Sequence, residues 1–319
     1  MQPIKIGLIG GSGLGEALSA RETGTPQYVN TPFGKPSGTI IETNWAGVPI
    51  LVISRHGNGH VFNPTHVPYR ANIYGLKMLG CTHILASGAV GSLREDICPR
   101  DVVVPDQVID KTTHRDSTFF EQSAVHIEMS EPFCPVLRQI LSDAAPQAIA
   151  QRTDEKMNVH GRGCYIAMEG PAFSTRAESL MHRMWGGDLI GMTAMPEAKL
   201  AREAEIPYAM VSLVTDYDSW RSASTGSRAK TEKEASHPVA PEQRHELLNE
   251  IIRNLKAASE NAIALMKSAV ERIAREPSAL DGCPATGALE LAIWSNKEKL
   301  PQEEIDRLWP LWGRYFPNP

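Results

Sequence analysis

Six short apolar runs, each cut off by a polar, charged or glycine residue, constrain this chain more than any other feature. Residues 3–9 run into Gly10-Gly11-Ser12-Gly13, and residues 48–54 stop at Arg55-His56-Gly57. Residues 82–87 end on Ser87 and Gly88, and residues 164–168 end on Glu169-Gly170-Pro171. Residues 188–192 end on Met192 and Thr193, and residues 207–214 end on Thr215-Asp216-Tyr217-Asp218. Runs with little alternation suit strands covered on both faces, as in a parallel sheet between helices. Open sheets of this kind hold ligands beyond the carboxyl ends of their strands. One such junction is an ordinary strand–turn–helix connection. Six of them in one mainly parallel sheet would gather Ser12, Arg55, His56, Ser87, Gly88, Glu169, Thr193, Asp216 and Asp218 at one edge.

Helical spacing fills much of what lies between. It covers 69–79, then a stretch after Phe133 to about residue 145, and restarts near Ala177 and at Pro196-Glu197. Pro241 opens a long helix with Leu248, Ile251, Leu255, Ala258, Ala262, Leu265 and Ile273 on one face, and Pro277 follows its end. Residues 102–108 read as a further strand, followed by a polar, exposed loop over 110–123. Residues 147–159 read as a surface connection. Between 221 and 246 there is no Leu, Ile, Met or aromatic residue, which marks a mobile loop. The organisation expected is one α/β domain over 1–276 and a tryptophan-bearing extension over 277–319 (Trp294, Trp309, Trp312), with short helices docked on the body or on a neighbouring subunit.

Composition narrows the class. A 42% hydrophobic content permits a sizeable core, and the net charge of −5 without a basic run argues against nucleic-acid or membrane-surface partners. The five cysteines (81, 98, 134, 164 and 283) form no CxxC pair, so they read as buried, reduced thiols of a cytoplasmic protein. No signal peptide and no membrane-spanning run are expected.

The glycine turn after the first run is neither a dinucleotide fingerprint nor a Walker loop, because Ser12 and Glu16 break the first and no Gly-Lys-Ser/Thr closes the second. It fits a smaller anion held by backbone N–H groups and the Ser12 hydroxyl, or a plain tight turn. Arg55 offers a planar fork of donors suited to phosphate, with His56 beside it. His56, His60 and His66 do not make a closed metal site, since no carboxylate or thiol stands near them. A cationic, hydroxyl-rich anion site would then lie close to two carboxylates, Asp216 and Asp218, and to an aromatic ring, Phe173.

Nine motifs in fixed order carry a resemblance. They are IGLIGGSG at 6–13, TPFGKPS at 31–37, RHG at 55–57, GCTH at 80–83, GSLRE at 91–95, EPFCP at 131–135, EGPAFSTRAE at 169–178, MT with PE at 192–197, and TDYDSW at 215–220. The chain resembles the methylthioadenosine phosphorylases of the trimeric purine nucleoside phosphorylase family. The resemblance implies a single α/β domain with a mixed, partly barrel-like sheet flanked by helices, and a homotrimer. It implies phosphorolysis of 5′-methylthioadenosine to adenine and 5-methylthioribose 1-phosphate, with orthophosphate as co-substrate and no metal or organic cofactor.

Carried over by position, Ser12, Arg55, His56, Gly88, Ala89 and Thr193 would surround phosphate. Met192 would lie under the ribose, Phe173 would stack on the base, and Asp216 and Asp218 would face its N7 and 6-amino edge. Asp216 would be catalytic. Ser174 occupies a position that separates these enzymes from broader nucleoside phosphorylases. His126 would approach a neighbour's sugar pocket, and Leu247 would wall the methylthio group. Gly88 departs from the family's usual threonine and loses a hydroxyl, with Ser87 adjacent. The loop after Trp220 is longer than the family pattern. Two other readings stand beside this one: a phosphorylase of 6-oxopurine nucleosides or methylthioinosine, which Asp216 disfavours because a carboxylate repels a 6-oxo oxygen, and a purine-binding protein without turnover.

Overall fold

The computed structural model describes residues 3–12, 24–152, 157–221 and 241–317, leaving out the side chains of 241–245 and 247. Its strands are β1 (Ile6–Gly10), β2 (Thr25–Gln27), β3 (Ile40–Trp45), β4 (Val48–Ser54), β5 (His83–Ser92), β6 (Val102–Val103), β7 (Gln107–Asp110), β8 (Val159–His160), β9 (Cys164–Ala167), β10 (Leu189–Gly191) and β11 (Tyr208–Tyr217). The helices are α1 (Tyr69–Met78), α2 (Pro135–Ala150), α3 (Arg176–Met184), α4 (Ala194–Glu203), α5 (Pro241–Arg275), α6 (Gln302–Arg307) and α7 (Trp309–Trp312).

All eleven strands form one mixed sheet whose axis is β5. Along one edge β5 pairs in parallel with β11, from Ile84↔Tyr208 to Ser92↔Tyr217. Along the other edge it pairs in parallel with β1 only from His83 to Ala86. At its far end the same edge pairs antiparallel with β10, through Gly91 and Ser92. β1 and β10 therefore point at each other head to head, with β4 parallel to β1 and β9 parallel to β10. Between them, residues 87–90 of β5 have no strand partner on that edge among the described residues. This corrects the expectation of one carboxyl edge in a mainly parallel sheet. The strand ends do meet, but from opposite directions, across a gap in the middle of β5.

β5 also continues past Ser87, where the small residues Ser-Gly-Ala read as a strand end. They extend instead because neighbours press on the backbone. A Cβ on Gly88 would lie 2.7 Å from the Met210 methyl, and one on Gly91 3.2 Å from Ile190. In-strand glycine at a close approach keeps the ladder and removes the clash.

Helices cover both faces. Ile9 and Ile53 pack with Tyr74 and Leu76 of α1, Leu200 of α4, and Leu308, Leu311 and Trp312 of the tail. Leu8, Val52 and Val211 pack with Leu137 and Leu141 of α2 and with Leu265 and Met266 of α5. The tail thus docks on the body of its own chain. Tyr74 donates to the Arg307 carbonyl at 2.7 Å, and the Phe120 and Trp312 rings lie 5.0 Å apart.

Other readings need correction. The 102–108 run is two short strands, β6 and β7. α2 continues to Ala150 and accommodates Pro146. Leu248 remains exposed on α5. Not all five cysteines are buried: Cys98 is exposed and Cys164 half-buried, while Cys134 and Cys283 bring their sulfurs to 3.4 Å. The polar 110–123 loop is anchored rather than exposed throughout. Phe119 and Phe120 are buried, and Glu203 accepts from the Thr118 hydroxyl at 2.7 Å and the Phe119 N–H at 2.8 Å. Burial pushes the Glu203 carboxyl up to about 7 against those two bonds. The 221–246 loop lies largely outside the described residues.

Candidate active site

At one end of the gap in β5 lies a fully buried arginine. Arg55 leaves β4 with its N–H on the Gly10 carbonyl at 2.8 Å, so the ends of β1 and β4 are tied together. Its guanidinium makes a two-point bond to Glu197 of α4, both contacts at 2.7 Å, and donates to the Ser87 carbonyl at 2.5 Å. Tyr208 donates to the same Glu197 at 2.8 Å. Burial works against the Arg55 charge, but Glu197 outweighs it and its pKa is raised. A guanidinium has five N–H donors, and among the described residues these bonds use three. Gly11 makes room: a Cβ there would sit 2.6 Å from the arginine nitrogen. The Gly11 N–H meets the Ser87 hydroxyl oxygen at 3.3 Å. Across the gap, the Thr193 hydroxyl lies 3.3 Å from the Cβ position of Gly88. Ser12 and Ala89 are half-buried at the rim.

His56 is buried beside Arg55. Its Nδ1 meets the Phe62 carbonyl at 2.8 Å, and its ring stacks on His60 with centroids 4.1 Å apart. Burial and then the Arg55 charge lower its pKa to about 4, so the ring is neutral at pH 7. His66 is turned to Asn63, so the three histidines do not converge.

The second half of the site lies three residues further along β5. Register pairs Gly88 with Ser212 and Gly91 with Asp216, across an irregularity between Val214 and Asp216. Three residues of strand span roughly 10 Å. Burial raises Asp216 to about 6, with the Asp218 charge adding to this and a 2.6 Å bond from the Thr215 hydroxyl opposing it. Asp218 is buried, and among the described residues its Oδ2 has no hydrogen-bond partner. Ser174 is buried next to this segment, its carbonyl accepting from Ser219 at 2.8 Å. Met192 is half-buried, with its sulfur against Gly170.

Comparison with known proteins decides the family. The model of the phosphorylase superfamily matches residues 5–271. The S-methyl-5′-thioadenosine phosphorylase of Synechocystis is 43% identical, over 98% of this chain and 88% of that protein. The chain belongs to the methylthioadenosine phosphorylases of that superfamily. The Xenopus tropicalis enzyme of the same name is 42% identical over 85% of this chain and 89% of its own length. A methylthioadenosine phosphorylase from an Antarctic soil metagenomic library superimposes with a TM-score of 0.81, at 40% identity, covering 98% of this chain and 99% of that one. The Schistosoma mansoni enzyme in complex with tubercidin gives 0.76 at 35% identity, covering 91% and 99%. At 98% coverage the matches reach into the 277–319 tail.

Two expected site residues, Phe173 and His126, stand apart from this phosphorylase core. Phe173 is 84% exposed on the turn before α3. His126 lies against the tail, its N–H on the Ala292 carbonyl at 2.9 Å and its ring 4.6 Å from Trp294. The Leu247 side chain lies outside the described residues.

The sequence reading also missed a residue that ties strand ends together beside the site. Arg115, from the polar loop, is buried and donates to the carbonyls of Met192, Met195 at 2.6 Å and Glu169 at 2.6 Å. Its Nε bonds the Glu169 carboxylate at 3.0 Å. That carboxylate also accepts from the Thr113 and His114 N–H groups and the Thr65 hydroxyl, and these bonds overcome burial to hold Glu169 at about 2. Arg115 therefore fixes the ends of β9 and β10 and the start of α4. Nothing in the pattern of a polar loop signals this. Glu197 was visible only as part of the Pro-Glu motif.

Proposed function

We propose that this protein cleaves the N-glycosidic bond of 5′-methylthioadenosine with orthophosphate, giving adenine and 5-methylthioribose 1-phosphate. The observation that carries the reading is the gap in β5, with a paired, buried arginine at one end and two carboxylates roughly 10 Å away. Orthophosphate sits in the gap, contacted by the two remaining Arg55 N–H groups, the Ser12 and Thr193 hydroxyls, and the backbone around Gly88 and Ala89. Glu197 already neutralises Arg55, so the phosphate dianion relies on several neutral donors as well as on one charge. His56 is a neutral neighbour rather than a second cation. Its Nε2 accepts if Nδ1 keeps its proton on the Phe62 carbonyl, which favours a phosphate form carrying a proton at that contact.

Bond cleavage builds positive charge on the sugar and negative charge on the purine. Phosphate below the sugar stabilises the first, and protonation of N7 relieves the second. Asp216, raised to about 6 by burial, is the donor to N7, while Asp218 accepts from the 6-amino group. A donor tuned close to the working pH is suited to proton transfer. Phe173 covers the base, Met192 the sugar, and Ser174 the edge nearest Asp218. Orthophosphate is the co-substrate, and no metal or organic cofactor takes part.

We also propose a cytoplasmic homotrimer. Leu291 and Trp294 are 88% and 72% exposed beside His126, and such residues are suited to a subunit contact. Among the described residues no helix is long and apolar enough to cross a membrane.

The test is release of free base from methylthioadenosine, adenosine, methylthioinosine and inosine, with and without orthophosphate and with a chelator. Adenine release that requires phosphate and survives the chelator is expected. Preference for the 6-oxo nucleosides, or base release independent of phosphate, would overturn the reading.

A further inference from the structure

Behind the base-binding carboxylates lies a buried cluster that the reaction as described does not use. His182 is one of two buried side chains on α3, the other being Ser179. The Ser179 hydroxyl accepts from the Trp220 N–H at 3.0 Å, so this face of α3 packs on the segment that carries Asp218. Lys111, just after β7, is anchored by its own N–H on the Ala167 carbonyl at 2.8 Å. Its ammonium meets His182 Nε2 at 2.7 Å and lies 5.4 Å from the Trp185 ring centre.

An ammonium only donates, so Nε2 must accept, and the neutral ring must carry its proton on Nδ1. That Nδ1 is buried and has no partner among the described residues, and neither has Oδ2 of Asp218. A buried donor and a buried acceptor left unpaired are each costly.

We propose that His182, held by Lys111, is a positioning residue that hydrogen-bonds Oδ2 of Asp218, directly or across one water, when base is bound. The bond fixes Asp218 as the acceptor for the 6-amino group and leaves the mobile proton of the pair on Asp216. The groups facing His182 agree. Burial and then Lys111 lower its pKa, while Asp218 and Glu178 raise it, so the ring stays neutral beside a carboxylate that favours its N–H. Asp216 on β11 is the remaining titratable group of the pair.

The proposal rests on the phosphorolysis reading, so the test has one arm that needs no activity. Nitrogen-15 NMR of the imidazole in the free protein should show the neutral Nδ1–H tautomer, and the Nε2–H tautomer would overturn the proposal whatever the enzyme does. In kinetics, His182→Leu should lower kcat/KM for methylthioadenosine about tenfold and move its acid limb to higher pH, with phosphate KM unchanged. His182→Asn, which keeps a donor at the Nδ1 position, should recover most of this. An unaltered pH profile in His182→Leu, or equal losses in both variants accompanied only by a lower Tm, would also overturn it. If the wild-type protein releases no adenine, the functional reading fails and the tautomer alone judges the pairing.

Discussion

The two ends of the site are built in opposite ways. At the end proposed to hold phosphate, Arg55 is completely buried and held by Glu197, with Tyr208 and the Ser87 carbonyl closing the network. At the base end Asp218 Oδ2 has no partner among the described residues, and Phe173 faces solvent. Orthophosphate is small and strongly hydrated, so the donors that replace its water must be fixed in advance. A purine brings a rigid plane and directional hydrogen bonds, and it can order the groups that meet it. Substitutions at the phosphate end should therefore damage folding and phosphate use together, while those at the base end should spare the fold.

The largest effect is expected at Arg55. Arg55→Ala leaves Glu197 buried without its partner, which costs about 3–5 kcal/mol of stability. Arg55→Lys keeps a charge but not the fork, and should raise the phosphate KM about a hundredfold with a smaller loss in Tm. A variant that lost stability but kept phosphate KM would reduce Arg55 to a structural residue and dissolve the comparison.

Next comes Asp216. Asp216→Asn should lower kcat/KM for methylthioadenosine about a hundredfold, with little change in fold. In the wild-type free enzyme the proton on Asp216 is lost as pH rises through about 6. The basic limb of kcat/KM should fall there, and Asp216→Asn should remove that limb. The sign for stability is the same. A carboxyl raised from 3.8 to about 6 binds more proton folded than unfolded, so its contribution declines as pH rises through that window. A basic limb that survived in Asp216→Asn would remove Asp216 as the proton donor to N7.

Phe173→Ala should raise the nucleoside KM about tenfold through lost stacking, with Tm unchanged because the ring is exposed. The smallest effect is expected at Gly88. Gly88→Thr restores the family's usual hydroxyl, but the new Cβ meets the Met210 methyl at 2.7 Å. Overpacking of this kind costs about 1–3 kcal/mol, and Met210→Ala in the same chain should return most of it. Phosphate KM then tells whether the hydroxyl helps once it fits.

The sequence exposed one side of this contrast better than the other. Strand cores were legible because apolar runs such as 48–54 carry their burial in their composition. The ends that meet in the gap were legible as chemistry, yet not as geometry. Whether β10 runs with β5 or against it depends on pairing between distant segments, which no local pattern encodes. β5 was cut short at Ser87 because small residues forced by Met210 and Thr193 look like a turn. Arg115 and Glu203 were invisible for a similar reason: a polar loop and a helix carboxylate declare their burial only once they face each other. Phe173 was legible as an aromatic ring close to the carboxylates, with its stacking role implied by resemblance alone, and His182 drew no notice because a lone histidine on a helix has no distinguishing spacing.

Both ends matter only if they act on one substrate. Phosphorus-31 NMR of the wild-type protein with methylthioadenosine and orthophosphate tests this most directly. A sugar 1-phosphate resonance should grow in step with free adenine as the orthophosphate signal declines by the same amount. Adenine released without a phosphorylated sugar, or no conversion at all by folded protein, would contradict the account.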